Sequence, residues 1–427
     1  MDPGTTTPVT SAPVPLLEIA SSFLVATALL AYVNQRFFKL PMAIGVMIVA
    51  LGLSLALAGL DAVGVLEGVH DHVETLLHSL DFSALVVQGM LSLLLFAGAL
   101  HVDISELTEY RWQVGLLAVV GTLGTMFVVG FALWLVAPLV GIPLSLVACL
   151  LFGALISPTD PIAVMGILKS SGAPKNVELV LTGEALFNDG IAVVAFALML
   201  GMLGGDAAPT LGETALKFAR EAGGGLLFGL ALGWIVFHLL RTIDQYQVEV
   251  LITLAVVMGG YALATRLHVS GPLAMVVAGL VIGNHGRDLA MSDRSRHYVD
   301  MFWDLVDEIL NAVLFALLGM EFIIIKFEPG LAVATVAAIG VTLLARALTV
   351  GLPVALAARA FKLPDGAWKV LTWGALRGGI SVALALSLPA GPVRETLLGL
   401  TYGVVVFSIL VQGLTIARVV RNAANER

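Results

Sequence analysis

Read for apolar runs, the chain is one hydrophobic stretch after another, separated by short polar links. A helix that crosses a bilayer needs about 20 mostly apolar residues. Thirteen segments qualify, at roughly 16–33, 40–60, 82–102, 112–138, 144–168, 177–204, 213–240, 248–267, 270–284, 301–325, 330–358, 368–389 and 396–420. The ninth is short and only LHVSGP parts it from the eighth, so twelve is the alternative count. The pattern predicts an all-α polytopic membrane protein. The link between the second and third segments, DAVGVLEGVHDHVETLLHSLD, carries acids and histidines but no Lys or Arg. It is expected to be an exterior amphipathic helix at the interface. His70, His72 and His78 lack a zinc-like spacing and are expected on its solvated face.

Composition agrees with the pattern. Hydrophobic residues make up 59% of the 427 and charged residues 12%, with a mean hydropathy of +1.00. Soluble domains carry about 25% charged residues. The 45 glycines suit helices that pack closely in lipid. A net charge of -8 without a basic cluster argues against a nucleic-acid partner, and the single cysteine, Cys149, excludes an intrachain disulfide. The first fifteen residues, MDPGTTTPVTSAPVP, lack the basic start of a secretory signal. The expectation is a disordered lead over 1–15 and a single membrane unit over 16–427, multi-pass in the cell membrane. Lys and Arg set orientation. With thirteen helices and the N-terminus outside, fifteen fall at cytoplasmic ends and five at exterior ends, leaving Arg346 and Arg377 inside the membrane. That asymmetry predicts N-terminus outside, C-terminus cytoplasmic, and an odd helix count.

Ionisable residues at membrane depth are functional candidates by default. In ALISPTDPIAVMG, residues 154–166, Pro158 and Pro161 flank Asp160. Proline removes a backbone donor, and transporters use broken helices at midplane to bind ions. Ser157 and Thr159 add oxygens there. The next segment carries TGEALFNDGIAVVAF, with Glu184, Asn188 and Asp189. Five residues of α-helix turn through 500°, which leaves Glu184 about 140° from Asp189. The two acids therefore face different ways. Glu184 is expected to form a structural ion pair with Arg346 of LLARALTV, the best intramembrane cation available. Asp189 has no evident basic partner. A lone carboxylate there can hold a proton or an alkali cation but not both, which is the minimum an exchanger requires. Asp160 and Asp189, 29 residues apart on successive segments, can share one site. In WGALRGGISVALALSLP, Arg377, two glycines and Ser381 permit a second helix break or a close crossing. Arg377 then either balances a broken helix end or guards the cytoplasmic approach, or it is an ordinary buried pair. The fifth and twelfth segments stand seven apart and run in opposite directions, as an inverted repeat of six helices requires.

SPTDPIAV, GEALFNDGIAVV, ARAL and WGALRGGISVALALSLP, in this order, resemble the NhaP-type sodium/proton antiporters and their animal sodium/proton exchanger relatives. LLLFAGALHVD, VSGPLAMVVAGLVIG and FWDLVDEILNAVLFALLGM resemble family segments too, so the likeness spans roughly 16–420. It implies the sodium/proton antiporter fold, with inverted repeats and broken crossing helices, in a homodimer. Dimerisation helices would lie at roughly 16–81 and 213–300, and a core that moves as an elevator at roughly 82–204 and 301–420. The resemblance puts the main ion and proton carrier on Asp189, assisted by Asp160 and Thr159. Asn188 bridges the crossed helices, Glu184 pairs with Arg346, and the asparagine–aspartate pair resembles the electroneutral one-for-one branch. Two departures remove oxygens: Ala97 stands where many members carry an acid, and Ala185 where many carry a serine. The implied activity is exchange of sodium, with lithium and potassium as further candidates, for protons in pH homeostasis. A sodium-coupled organic-anion transporter of the same architecture and a gated channel are the alternatives. No enzymatic chemistry and no cofactor are implied, and the expected partners are lipid and a second copy of the chain.

Overall fold

Without water to bond to, the backbone inside a bilayer must satisfy itself, and the α-helix does so within one segment. The computed structural model describes residues 16–62, 89–160, 168, 171–204, 211–286, 290–321 and 329–424. The expected lead over 1–15, the loop histidines His70, His72 and His78, and Pro161 lie outside the described residues. Those described are helices and short links with no β-strand among them. Among the described residues seven helices are long and apolar enough to cross a membrane, and the shorter Leu91–Leu100, Leu146–Ile156 and Gly271–Asn284 are apolar too.

The first helix, α1 (Leu16–Val33), and α2 (Met42–Ala62) precede α3 (Leu91–Leu100). A short α4 (Ile104–Glu109) follows, which the hydropathy pattern did not predict. Its N-cap is Asp103, whose carboxylate accepts from the amides of Ser105 at 2.8 Å and Glu106 at 3.4 Å. The fourth predicted span is α5 (Arg111–Leu116), a π-helical turn at Leu117–Gly121, and α6 (Thr122–Val136). Beyond it Gly141, at φ 78°, turns the chain back toward Ser145, whose hydroxyl caps α7 (Leu146–Ile156). The long α8 (Lys175–Leu203), α9 (Leu211–Leu240) and α10 (Tyr246–Arg266) come next. His268, at φ 55°, then parts α10 from α11 (Gly271–Val281), so the eighth and ninth predicted segments are two helices.

The tenth predicted segment, 301–325, is the longer α12 (Asp293–Glu321), whose charged first turns hydropathy alone does not reveal. Next is α13 (Pro329–Arg346), continued through a π-helical turn at Ala347–Gly351 into α14 (Leu352–Leu356). The twelfth predicted segment is two pieces, α15 (Ala367–Trp373) and α16 (Gly379–Leu386). The chain closes with α17 (Pro392–Phe407), a π-helical turn at Ser408–Gly413, and α18 (Leu414–Ala424).

The largest apolar cluster joins α2, α6, α7, α8, α12, α13, α15 and α17, with Phe152, Phe315 and Tyr402 wholly enclosed. A second gathers α3, α9, α10, α11 and α12 around Phe96 and Trp303, whose rings lie 4.7 Å apart. Helix α6 crosses α7 closely: a methyl group on Gly153 would sit 2.2 Å from the Met126 carbonyl oxygen. The outside is as apolar as the inside, with Leu29, Phe37, Leu135, Leu251 and Val336 all exposed. Only a bilayer makes such a surface tolerable, and the protein is a multi-pass membrane protein.

Candidate functional site

The site is built on the two interruptions. Helix α7 stops at Ile156 and the chain runs on without helix through 157–160. The other break separates Trp373 from Gly379. They meet: the Asp160 amide donates to the Leu376 carbonyl at 2.7 Å. Each break frees backbone groups, and each is answered by a charge. Arg377 is buried, and its Nη1 donates to the carbonyls of Ser157 at 2.6 Å and Pro158 at 3.0 Å. A cation thus sits where the α7 dipole leaves partial negative charge. In turn, Asp160 lies against the start of α16, where the dipole is positive. A Cβ on Gly378, the α16 N-cap, would come 2.3 Å from Asp160 Oδ2. Glycine is required there because the carboxylate occupies that space.

A buried polar chain fixes the second break. The Arg377 amide donates to Ser408 Oγ at 2.9 Å, and Ser408 Oγ donates to Gln412 Oε1 at 2.7 Å. Gln412 Nε2 then reaches the Trp373 carbonyl at 3.1 Å. Both side chains belong to the π-helical turn after α17, a distortion frequent at functional sites. Neither was among the sequence candidates. The signal for them was faint: two polar residues in the apolar run FSILVQG.

Helix α8 brings its polar face to the first break. Asn188, with no exposed surface, donates from Nδ2 to Thr159 Oγ1 at 2.7 Å, and its Oδ1 lies 3.5 Å from the Thr159 amide. Asp189 is 5% exposed, and its Oδ1 has no hydrogen-bond partner. Asp160 is its electrostatic neighbour. Asp160, Asp189 and Thr159 supply a sparse set of hard oxygens. Among the described residues no three His, Cys, Asp or Glu side chains converge as a metal cluster. An arrangement with so few fixed ligands suits a cation of single charge, or a proton, better than a tightly held divalent ion.

Glu184 sits on another face of α8 and meets Arg346 of α13. The pair is bidentate, with Arg346 Nη1 on Oε1 and Nη2 on Oε2 at 2.8 Å. Arg346 also donates to the Leu371 carbonyl from Nη2 at 3.1 Å and Nε at 3.3 Å, which ties α8, α13 and α15 together. Ser157 donates its hydroxyl back to the Ala154 carbonyl at 3.0 Å, while its own carbonyl accepts from Arg377. Ser381 is buried with no partner for its Oγ. Ala97 is buried in the apolar cluster around Phe96 and Trp303, and Ala185 is buried in α8. One acid gains weight from the structure. Asp307 of α12 has a buried Oδ1 without a partner and lies within electrostatic reach of Asp160. Its helical register was hidden by the early start of α12.

The family model for "sodium/hydrogen exchanger, transmembrane" matches residues 25–422. The chain belongs to the sodium/hydrogen exchanger family. Within that family it is 54% identical over 413 residues to the Na+/H+ antiporter NhaP of Pseudomonas aeruginosa, covering 95% of this chain and 96% of the relative. It is 36% identical over 352 residues to the Na+/H+ antiporter NhaH of Halobacillus dabanensis, covering 80% and 83%. Among solved structures, the sodium proton antiporter MjNhaP1 from Methanocaldococcus jannaschii at pH 8 superposes with a TM-score of 0.73. That match covers 96% of this chain and 99% of the other at 19% identity, so the exchanger has the fold of that antiporter.

Proposed function

We propose that this exchanger is a secondary antiporter that moves sodium ions against protons at one alternating-access site, with Asp189 as the shared carrier. The observation that carries the reading is Asp189 itself: an enclosed carboxylate with a free oxygen beside Asp160 and next to the crossed breaks. The names of NhaP and NhaH, both Na+/H+ antiporters, support the same reading. Arg377 is held by the carbonyls of the first break. Proton uptake on one side would expel the cation, and proton loss on the other would reload the site. Each pH unit supplies about 1.4 kcal/mol per proton, enough to drive one monovalent ion up a tenfold gradient in a one-for-one exchange. Lithium and potassium are candidate substrates beside sodium, because Ala97 and Ala185 withhold oxygens that would sharpen selection.

The reading extends to the assembly: a homodimer with the N-terminus outside and the C-terminus cytoplasmic, serving cation and pH homeostasis. Residues 82–204 and 301–420 would move as an elevator against 16–81 and 213–300. Asp189→Asn in proteoliposomes tests the core of it. The variant should fold, and cation-driven proton flux by dye quench should vanish for Na, Li and K alike. Full flux in that variant ends the assignment. Flux of cation and an organic anion in one direction, or conduction far faster than carrier turnover, would turn the reading to the cotransporter or channel instead.

A further inference from the structure

Behind the ion site lies a cavity of about 420 Å3 that the transport chemistry does not use. One wall is α4, α5 and the π-helical turn after it; the others are α8, α9 and α11. On α8 its lining residues are Phe187 and Ile191, which bracket Asp189 in sequence. Two residues of α-helix turn through 200°, so the cavity and the carboxylate occupy opposite faces of one helix. The lining is apolar except for Thr108 and Arg111. Thr108 spends its hydroxyl proton on the Ile104 carbonyl at 2.6 Å, which leaves Arg111 as the cavity's free donor.

Arg111 is exposed, and the acids beside it are committed elsewhere. Glu106 pairs with Lys175 at 3.1 Å and Glu109 with Lys362 at 3.4 Å. Its neighbour Trp112 is 78% exposed, the placement of an aromatic at the headgroup level. The ligand therefore needs a long apolar body and one anionic end near the membrane surface. A polar solute would find no partners along the walls, and water does not fill an apolar void of this kind. We propose that the cavity holds an acyl chain of an anionic phospholipid whose phosphate is paired with Arg111. Guanidinium and phosphate oxygens meet in a two-pronged geometry, and basic pockets between membrane helices are known to take such headgroups. On the elevator reading above, the lipid would lie between moving α8 and static α9 and α11, and its occupancy would set how freely they slide. Binding itself does not depend on that reading.

The test uses the purified full chain, delipidated in detergent. Phosphatidylglycerol and phosphatidylcholine with matched chains are titrated by native mass spectrometry. Phosphatidylglycerol should bind about tenfold tighter, and Arg111→Gln should erase that preference while leaving the unfolding temperature in detergent unchanged. Ala222→Phe, which fills the cavity from α9, should lower binding of both lipids. Phosphatidylglycerol with a photoreactive chain gives a readout that needs no variant. Crosslinks to peptides containing Phe187 or Phe218 support the site; labelling confined to α1, α2 and the outer faces overturns it. Equal binding of the two lipids, or a preference that survives Arg111→Gln, also overturns it. An inactive transporter that still shows the headgroup preference would defeat the antiport reading and leave this one standing.

Discussion

Glu184 and Arg346 are the clearest case of a partner that could be read from the chain. At membrane depth an arginine needs a partner for its charge, and Glu184 was the acid left over once its angle from Asp189 was known. The structure joins them with two bonds and adds the Leu371 carbonyl. Removing one member of such a pair costs about 3–5 kcal/mol, whereas removing both costs far less. Glu184→Gln should therefore lower the unfolding temperature sharply, and Glu184→Gln with Arg346→Met should recover much of it. A stable single variant with altered cation affinity would show that the pair belongs to the ion site. Glu249 was not legible in this way, because near the start of a helix it looks like an ordinary polar end. It has no exposed surface, and its oxygens make no close hydrogen bond, Ser295 being the one side chain that offsets its burial. Buried polar groups left unpaired cost about 1–3 kcal/mol each. Glu249→Gln, which removes the charge at constant shape, should raise thermal stability.

Breaks and caps belong to the scale of the element, and there the chain was only half legible. SPTDP announces its interruption because proline cannot continue a helix; WGALRGG merely permits one. What no local pattern reveals is that Arg377 answers the first break, since its partners are carbonyls, which carry no residue identity. Gly378 is the sharper indicator, as its missing side chain is where Asp160 sits. Gly378→Ala should displace that carboxylate and cut exchange at least tenfold in a protein that still purifies as folded; wild-type rates would show that the carboxylate has room to move. The D-x-x-E of Asp103 and Glu106 is a capping pattern that marks α4, a helix of six residues with no apolar run of its own. Hydrogen bonds from the Ser105 hydroxyl and then its amide hold the Asp103 carboxyl below its ordinary 3.8. A lowered folded value means stability present above the ordinary value and lost as pH falls through the folded one. Asp103→Ala should thus cost about 1 kcal/mol at neutral pH, with the gap to wild type closing below pH 4 in unfolding experiments.

Across the whole molecule, the helical nature of the elements followed from hydropathy, while their number and assembly did not. Nothing in the composition foretells that α12 spans both apolar clusters, or that a cavity lies between α8 and α9. For transport the whole-molecule consequence is competition. If proton and cation exclude each other at Asp189, the sodium KM should rise as pH falls, approaching tenfold per unit, with the maximal rate reached at saturating sodium. A pH-independent KM would separate the two occupants. The clasp between the crossed interruptions bears on biogenesis as well. Ser157 leaves the ribosome 220 residues before the guanidinium that will donate to its carbonyl. Throughout that interval the Asp160 amide and two carbonyls must be sheltered by the translocon, by water or by a chaperone. Premature termination anywhere upstream of α15 therefore yields a chain with open polar backbone inside lipid, a ready target for membrane proteases.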